Sequence, residues 1–144
     1  MDYRWDESLE TGHERIDEQH KQLFNSLISI IEASRQGYGN NEIIRTLDFL
    51  GEYTIMHFKT EEDLQKKFDY PDYLIHKKSH DDFKLTIKEL TYDLKKKGPG
   101  KELIDTVVKT IGDWLITHIK GSDIEMATYL KSKGVLSAPS LPTD

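Results

Sequence analysis

Seven side chains of the kind that hold metal ions stand out in this 144-residue chain: His20, His57, Glu61, His76, His80, His118 and Asp123. All but Asp123 fall on the apolar stripe of a predicted helix. A single histidine on such a stripe is ordinarily a satisfied core residue. Here five of the six histidines do so. Burying them with two carboxylates and no partners would cost several kcal/mol for each badly solvated group. Metal ions offset that cost most simply, and seven ligands exceed what one tetrahedral zinc uses, so two ions are expected. His57 and Glu61 are four residues apart, as are His76 and His80, which sets each pair on successive turns of one helix face. Asp123 follows His118 across Gly121-Ser122. The glycine is expected to stop the helix and let the aspartate swing back toward the other six. The competing role for Asp123 alone is the N-cap of a short closing helix. His13 lies before the first helix and off the stripe, and is expected on the surface. Glu62 sits about 100° round the helix from Glu61, the place of a solvated carboxylate or one that supports a ligand from behind.

The elements that must position these residues are marked by clear breaks. Gly37 to Asn41, Asp69-Tyr70-Pro71-Asp72 and Lys97-Gly98-Pro99-Gly100 punctuate the chain, with Pro71 suited to a helix's first turn. Between them, apolar residues recur in steps of three and four, as on one face of a helix. The stripes are Ile16, His20, Leu23, Leu27, Ile30; then Ile43, Leu47, Leu50, Thr54, His57, Glu61, Leu64; then Tyr73, His76, His80, Phe83, Ile87, Leu90, Leu94; then Ile104, Val108, Ile111, Leu115, His118. Short loops favour antiparallel neighbours, so the predicted fold is all-α, an up-down-up-down four-helix bundle. In such a bundle the start of helix one, the end of helix two, the start of helix three and the end of helix four meet at one end. Those are the ligand positions.

Composition narrows the function. A net charge of -6, from 26 acidic and 20 basic residues, leaves no basic surplus for nucleic acid. Lys95-Lys96-Lys97 reads as a solvated helix end, where cations suit the dipole. With no cysteine, disulfides, thiolate zinc sites, iron–sulfur clusters and Cys nucleophiles are excluded. Metal must be held by nitrogen and oxygen, which suits iron, zinc or manganese. No stretch approaches the roughly 18 apolar residues of a membrane span, and the first residues lack an apolar run, so a cytoplasmic protein with no membrane partner is expected. There is no His-Glu-x-x-His of a metalloprotease. No glutamate stands three before any of the five stripe histidines, as the di-iron oxidases and ferroxidases require.

Several segments together resemble one family. They are Ile16-Asp17-Glu18-Gln19-His20, His57-Phe58-Lys59-Thr60-Glu61-Glu62, Tyr70-Pro71 followed by His76, His80 and Phe83, and Trp114-Leu115-Ile116-Thr117-His118-Ile119 followed by Asp123. The resemblance is to hemerythrin, of the single-domain bacterial kind, and runs from about Trp5 to about Tyr129. It implies a domain over residues 1–131, with an N-terminal arm at 1–15, a bundle at about 16–120 and a short closing helix at about 123–131; the polar, Pro-rich end of the chain is expected to be a flexible tail at 132–144. It implies two iron ions joined by an oxo or hydroxo bridge. His76, His80 and His118 would hold one; His20 and His57 would hold the other and leave an open position for dioxygen; Glu61 and Asp123 would bridge. Phe58, Trp114, Leu115 and Ile119 would form the oxygen pocket, and Leu23, three residues after His20, is a further lining candidate. The implied activity is reversible dioxygen binding for carriage, storage or delivery rather than catalysis, with a weak peroxidase or oxidase side activity left open. The alternatives are sensing of oxygen, redox state or nitric oxide through a partner protein, and a di-iron oxidase or peroxidase.

Overall fold

The computed structural model describes residues 3–37 and 39–135. Four long helices carry the chain: α1 (Glu14–Arg35), α2 (Asn40–Lys67), α3 (Tyr73–Lys97) and α4 (Lys101–His118). A π-helical turn, Ile119–Asp123, joins α4 to a short α5 (Ile124–Ser132). Each long helix packs on its chain neighbours and α4 closes the ring against α1. This is the antiparallel up-down-up-down bundle expected from the stripes. No strand occurs among the described residues, and no helix there is long and apolar enough to cross a membrane.

The stripe residues form the core. Leu23, Leu27, Ile30, Leu47, Leu50, Phe58, Phe83, Ile87, Ile104, Ile111 and Leu115 are all buried in one cluster. A second, smaller cluster of Ile16, Tyr70, Met126 and Leu130 closes one end of the bundle. It is pinned there by Tyr129, whose hydroxyl donates to the carbonyl oxygens of Phe68 (2.7 Å) and Asp69 (3.0 Å) in the α2–α3 connection. The layer that carries the seven polar residues lies between the two clusters.

The N-terminal arm is part of the packing. Tyr3 is buried and its hydroxyl donates to Asp113 on α4 at 2.9 Å. Its ring lies so close to Gly112 that a Cβ there would overlap it. The arm then enters α1 through a cap that departs from the sequence expectation. His13 is buried rather than exposed, and its Nδ1 accepts the backbone N–H of Ile16 at 3.3 Å. Asp17 ties the same turn by accepting from Thr11 N (2.9 Å), Thr11 Oγ1 (2.7 Å) and Gly12 N (3.3 Å). A residue off the apolar stripe is thus drawn inside by its capping role, satisfying an amide that the helix cannot. Pro71 also differs: it sits in the turn before α3, which begins at Tyr73. The C-terminal tail foreseen at 132–144 begins as the last residue of α5, and residues 136–144 lie outside the described residues.

Candidate metal centre

Each long helix delivers its ligand-type residues to the same end of the bundle. α1 brings His20, α2 brings His57 and Glu61, α3 brings His76 and His80, α4 brings His118, and the π-helical turn brings Asp123. All seven are buried, with exposures from 0% for Glu61 and His80 to 6% for His118. The spacing of four in α2 and α3 works as the helix period requires. The spacing of five between His118 and Asp123 does not suit an α-helix, which would set them about 140° apart. The chain meets it by widening to a π-helical turn, whose i→i+5 bonding suits a spacing of five. Gly121 therefore does not stop the helix, contrary to the sequence expectation; the helical path runs on through it. Asp123 opens α5 in sequence yet makes no side-chain capping bond, its carboxylate being turned to the histidines instead.

The two carboxylates divide their oxygens between two sets of imidazoles. Glu61 Oε2 lies 2.9 Å from His57 Nε2 and 3.3 Å from His20 Nε2. Its other oxygen, Oε1, lies 3.1 Å from His80 Nε2 and 3.4 Å from His76 Nε2. Asp123 repeats the division: Oδ2 is 3.0 Å from His20 Nε2, whereas Oδ1 is 3.0 Å from His76 Nε2 and 3.2 Å from His118 Nε2. The result is two groups able to hold a cation, one of His76, His80 and His118, the other of His20 and His57, with Glu61 and Asp123 common to both.

Several of these close contacts are not hydrogen bonds. Both oxygens of Glu61, Asp123 Oδ1, His20 Nε2 and His80 Nε2 are buried without a hydrogen bond of acceptable geometry. His76 Nε2 and His118 Nε2 face each other at 3.1 Å. Buried polar atoms left so are costly unless something else satisfies them. Nitrogen and oxygen lone pairs that converge on one buried spot suit cations, and this donor set fits iron, zinc or manganese.

The electrostatics agree. Burial pushes the Glu61 carboxyl up, but His57 and its neighbours overcome this and hold it well below its ordinary value. For Asp123, burial and the Glu61 charge push up, while His118 and His20 prevail and hold it low. Burial works against charge on His20 and His76, yet the Asp123 and Glu61 carboxylates raise both from 6.5 to about 9. His57 goes the other way, because burial outweighs the pull of Glu61. Without a metal, the two anions are balanced by protons that a cation would displace.

Behind the cluster, the outer ring nitrogens are held in place. His57 Nδ1 is 2.7 Å from Gln19 Oε1, His80 Nδ1 is 2.8 Å from Glu62 Oε2, and His118 Nδ1 is 3.3 Å from Ser79 Oγ. Glu62 is therefore a supporting carboxylate, one of the two roles foreseen for it. Gln19 and Ser79 were not singled out by sequence, because each acts on a ring from another helix and nothing in the spacing signals that. Aromatic faces clamp two of the rings. Phe58 stacks on His80 at 3.7 Å and Trp114 on His118 at 4.2 Å, with Phe83 stacked on Trp114 at 3.8 Å. Of the five residues expected to line a pocket, Leu23, Phe58, Leu115 and Ile119 are buried and Trp114 is half-buried.

The family model described as the Hemerythrin HHE cation binding domain matches residues 11–130. The chain is 37% identical over 134 residues to the hemerythrin-like protein of Naegleria gruberi, covering 93% of each chain. It is 31% identical to the myohemerythrin of Theromyzon tessulatum, over 85% of this chain and 89% of that one. It is 30% identical to the bacteriohemerythrin of Stenotrophomonas maltophilia, over 89% and 81%. Its fold is similar to the crystal structure of wild-type hemerythrin, with a TM-score of 0.73 at 30% identity over 82% of this chain and 88% of that one.

Proposed function

Because the chain belongs to the hemerythrin family, we propose that it binds dioxygen reversibly at a non-haem di-iron centre, for carriage, storage or delivery. The observation that carries this reading is the uneven division of the histidines, three against two, about two shared carboxylates. Glu61 and Asp123 each give one oxygen to a group with three histidines and the other to a group with two. One protein donor fewer at His20 and His57 leaves room there for an exogenous ligand, as in metal sites that keep an open position. Two irons, when bound, supply the reversible electron chemistry on which dioxygen binding draws. The chain's own part is to hold them and keep the cavity dry. His76, His80 and His118 would fix one ion, His20 and His57 the other, and Glu61 and Asp123 both at once, together with a solvent-derived oxo or hydroxo bridge.

Leu23, Phe58, Trp114, Leu115 and Ile119 are assigned to the oxygen pocket. All five are apolar in the part they can offer a small ligand, and none carries an acid or base suited to catalysis. That lining supports binding rather than turnover. The absence of cysteine fits a reducing, cytoplasmic setting.

The test is an absorption spectrum of the reduced, iron-loaded protein before air, after air and after its removal, with metal analysis alongside. Two irons per chain and a spectrum that appears with oxygen and disappears without it are expected. One zinc and no iron, or an irreversible change on first exposure to air, overturns the reading.

A further inference from the structure

We propose that Glu62, which lies outside the two metal-holding groups, is a positioning residue that widens the inequality of the two metals. By accepting the Nδ1–H of His80 it lowers the reduction potential of the metal held by His76, His80 and His118 below that of its neighbour. The inference rests on the di-iron reading above.

The structure gives each group a different backing. A carboxylate only accepts, so the 2.8 Å contact between Glu62 Oε2 and His80 Nδ1 fixes the ring proton on Nδ1 and leaves the Nε2 lone pair directed at the cluster. An acceptor bearing full negative charge makes a hydrogen bond roughly twice as strong as a neutral one. It draws that proton outward and enriches Nε2, making His80 a stronger donor. The corresponding bond in the two-histidine group is made by an amide: Gln19 Oε1, 2.7 Å from His57 Nδ1. The orientation of that amide is set from its other side, where Gln19 Nε2 donates to Thr60 Oγ1 at 3.3 Å. His20, the other member of that group, has a buried Nδ1 with no hydrogen-bond partner. A carboxylate thus stands behind one group, and a neutral amide with an unpartnered ring nitrogen behind the other. The more highly charged oxidation state gains more from a richer donor, so the three-histidine metal is the easier to oxidise. The two-histidine metal, with its open position, is the one that stays reduced longer.

Three substitutions test this by potentiometric titration of the iron-loaded protein with redox mediators, after iron content has been measured. The unsubstituted chain should show two separated one-electron steps. Glu62→Gln keeps the shape and removes the charge. It should raise the lower step by ~59 mV for each tenfold preferential loss of affinity for the oxidised ion, with one to two such factors expected. Glu62→Asp keeps the charge but draws it back from Nδ1, and should shift the same step in the same direction. Gln19→Glu places a carboxylate behind His57 and should lower the upper step, narrowing the gap.

The inference is overturned if Glu62→Asp behaves as the unsubstituted protein while Glu62→Gln shifts, because net charge would then be the cause. Equal movement of both steps in Glu62→Gln, or no movement in an iron-replete variant, overturns it as well. Where Glu62→Gln fails to hold iron, Gln19→Glu decides alone, and an unmoved upper step ends the proposal. Shifts as expected in a protein that does not bind oxygen reversibly would sink the oxygen reading and leave this one standing. An unsubstituted chain that takes up no iron removes both.

Discussion

Glu61 is the most heavily committed side chain in the molecule, with four imidazole nitrogens within 3.4 Å of its two oxygens. Replacing it with alanine takes a donor from both groups and half of their carboxylate charge. Glu61→Ala is therefore expected to lose most of its iron. His13→Ala should keep its iron and lose stability, by about 0.5–2 kcal/mol for a missing N-cap. Metal analysis with thermal unfolding separates the two, and equal iron content would refute the role given to Glu61. Leu115 makes a third case. It is 2% exposed and one turn before His118, and in a helix its side chain leans back toward the preceding turn. Leu115→Ala should cost about 2–4 kcal/mol. If the residue also keeps water from the pocket, the oxygen-bound spectrum of this variant should decay faster at normal iron content. Stopped-flow spectroscopy reads that decay directly, and an unchanged rate leaves Leu115 as packing alone.

At the scale of elements, the repeating step of three and four displays both the four helices and six of the seven polar residues gathered at one end. The rest was hidden for definite reasons. His13 falls off the stripe, and its burial follows from a ring nitrogen replacing a missing backbone acceptor, which no periodicity announces. Gln19 and Ser79 depend on how neighbouring helices are rotated about their axes. Asp123 was legible as a ligand candidate, but the path of the chain to it was not. A spacing of five with a glycine inside reads as a stop, whereas the helix absorbs it as one wide turn. Gly121 then needs no special backbone conformation, and nothing lies within 4 Å of where its Cβ would be. Gly121→Ala is expected to keep full iron content and to be neutral or more stable, by up to about 1 kcal/mol. Loss of iron in that variant would show that the turn requires glycine after all.

Taken as a whole, the metal-free molecule balances its buried carboxylates with protons, which bound cations would replace. In the metal-free protein, His20 and His76 are raised from 6.5 to about 9 by the carboxylates that overcome their burial. Their contribution to stability is complete below pH 6.5 and is lost as the pH climbs through 9, since the folded chain holds protons that the unfolded chain has released. His80 is raised as well and adds to the fall, His57 opposes it only near pH 6.5, and Glu61 and Asp123 are shifted downward and add no slope in that window. Metal-free protein should therefore melt at a lower temperature at pH 9 than at pH 6.5, whereas the iron-loaded protein should not follow that fall. Scanning calorimetry of both forms across the window is the measurement, and a flat profile for the metal-free form would refute the proton-balanced cluster.

The stacking of Phe58 on His80 and of Trp114 on His118 bears on time as well as on affinity. Rings clamped face to face cannot swing out to fetch an ion, and the seven groups around the centre are all but sealed from solvent. An ion can enter or leave only when the helices part, so the traffic of metal is paced by the breathing of the bundle. Iron present during refolding should be captured as fast as the chain folds. Iron added to the folded, metal-free protein should enter slowly, and faster in denaturant too dilute to unfold it. Once closed, such a centre keeps its irons against a chelator for as long as the bundle stays shut.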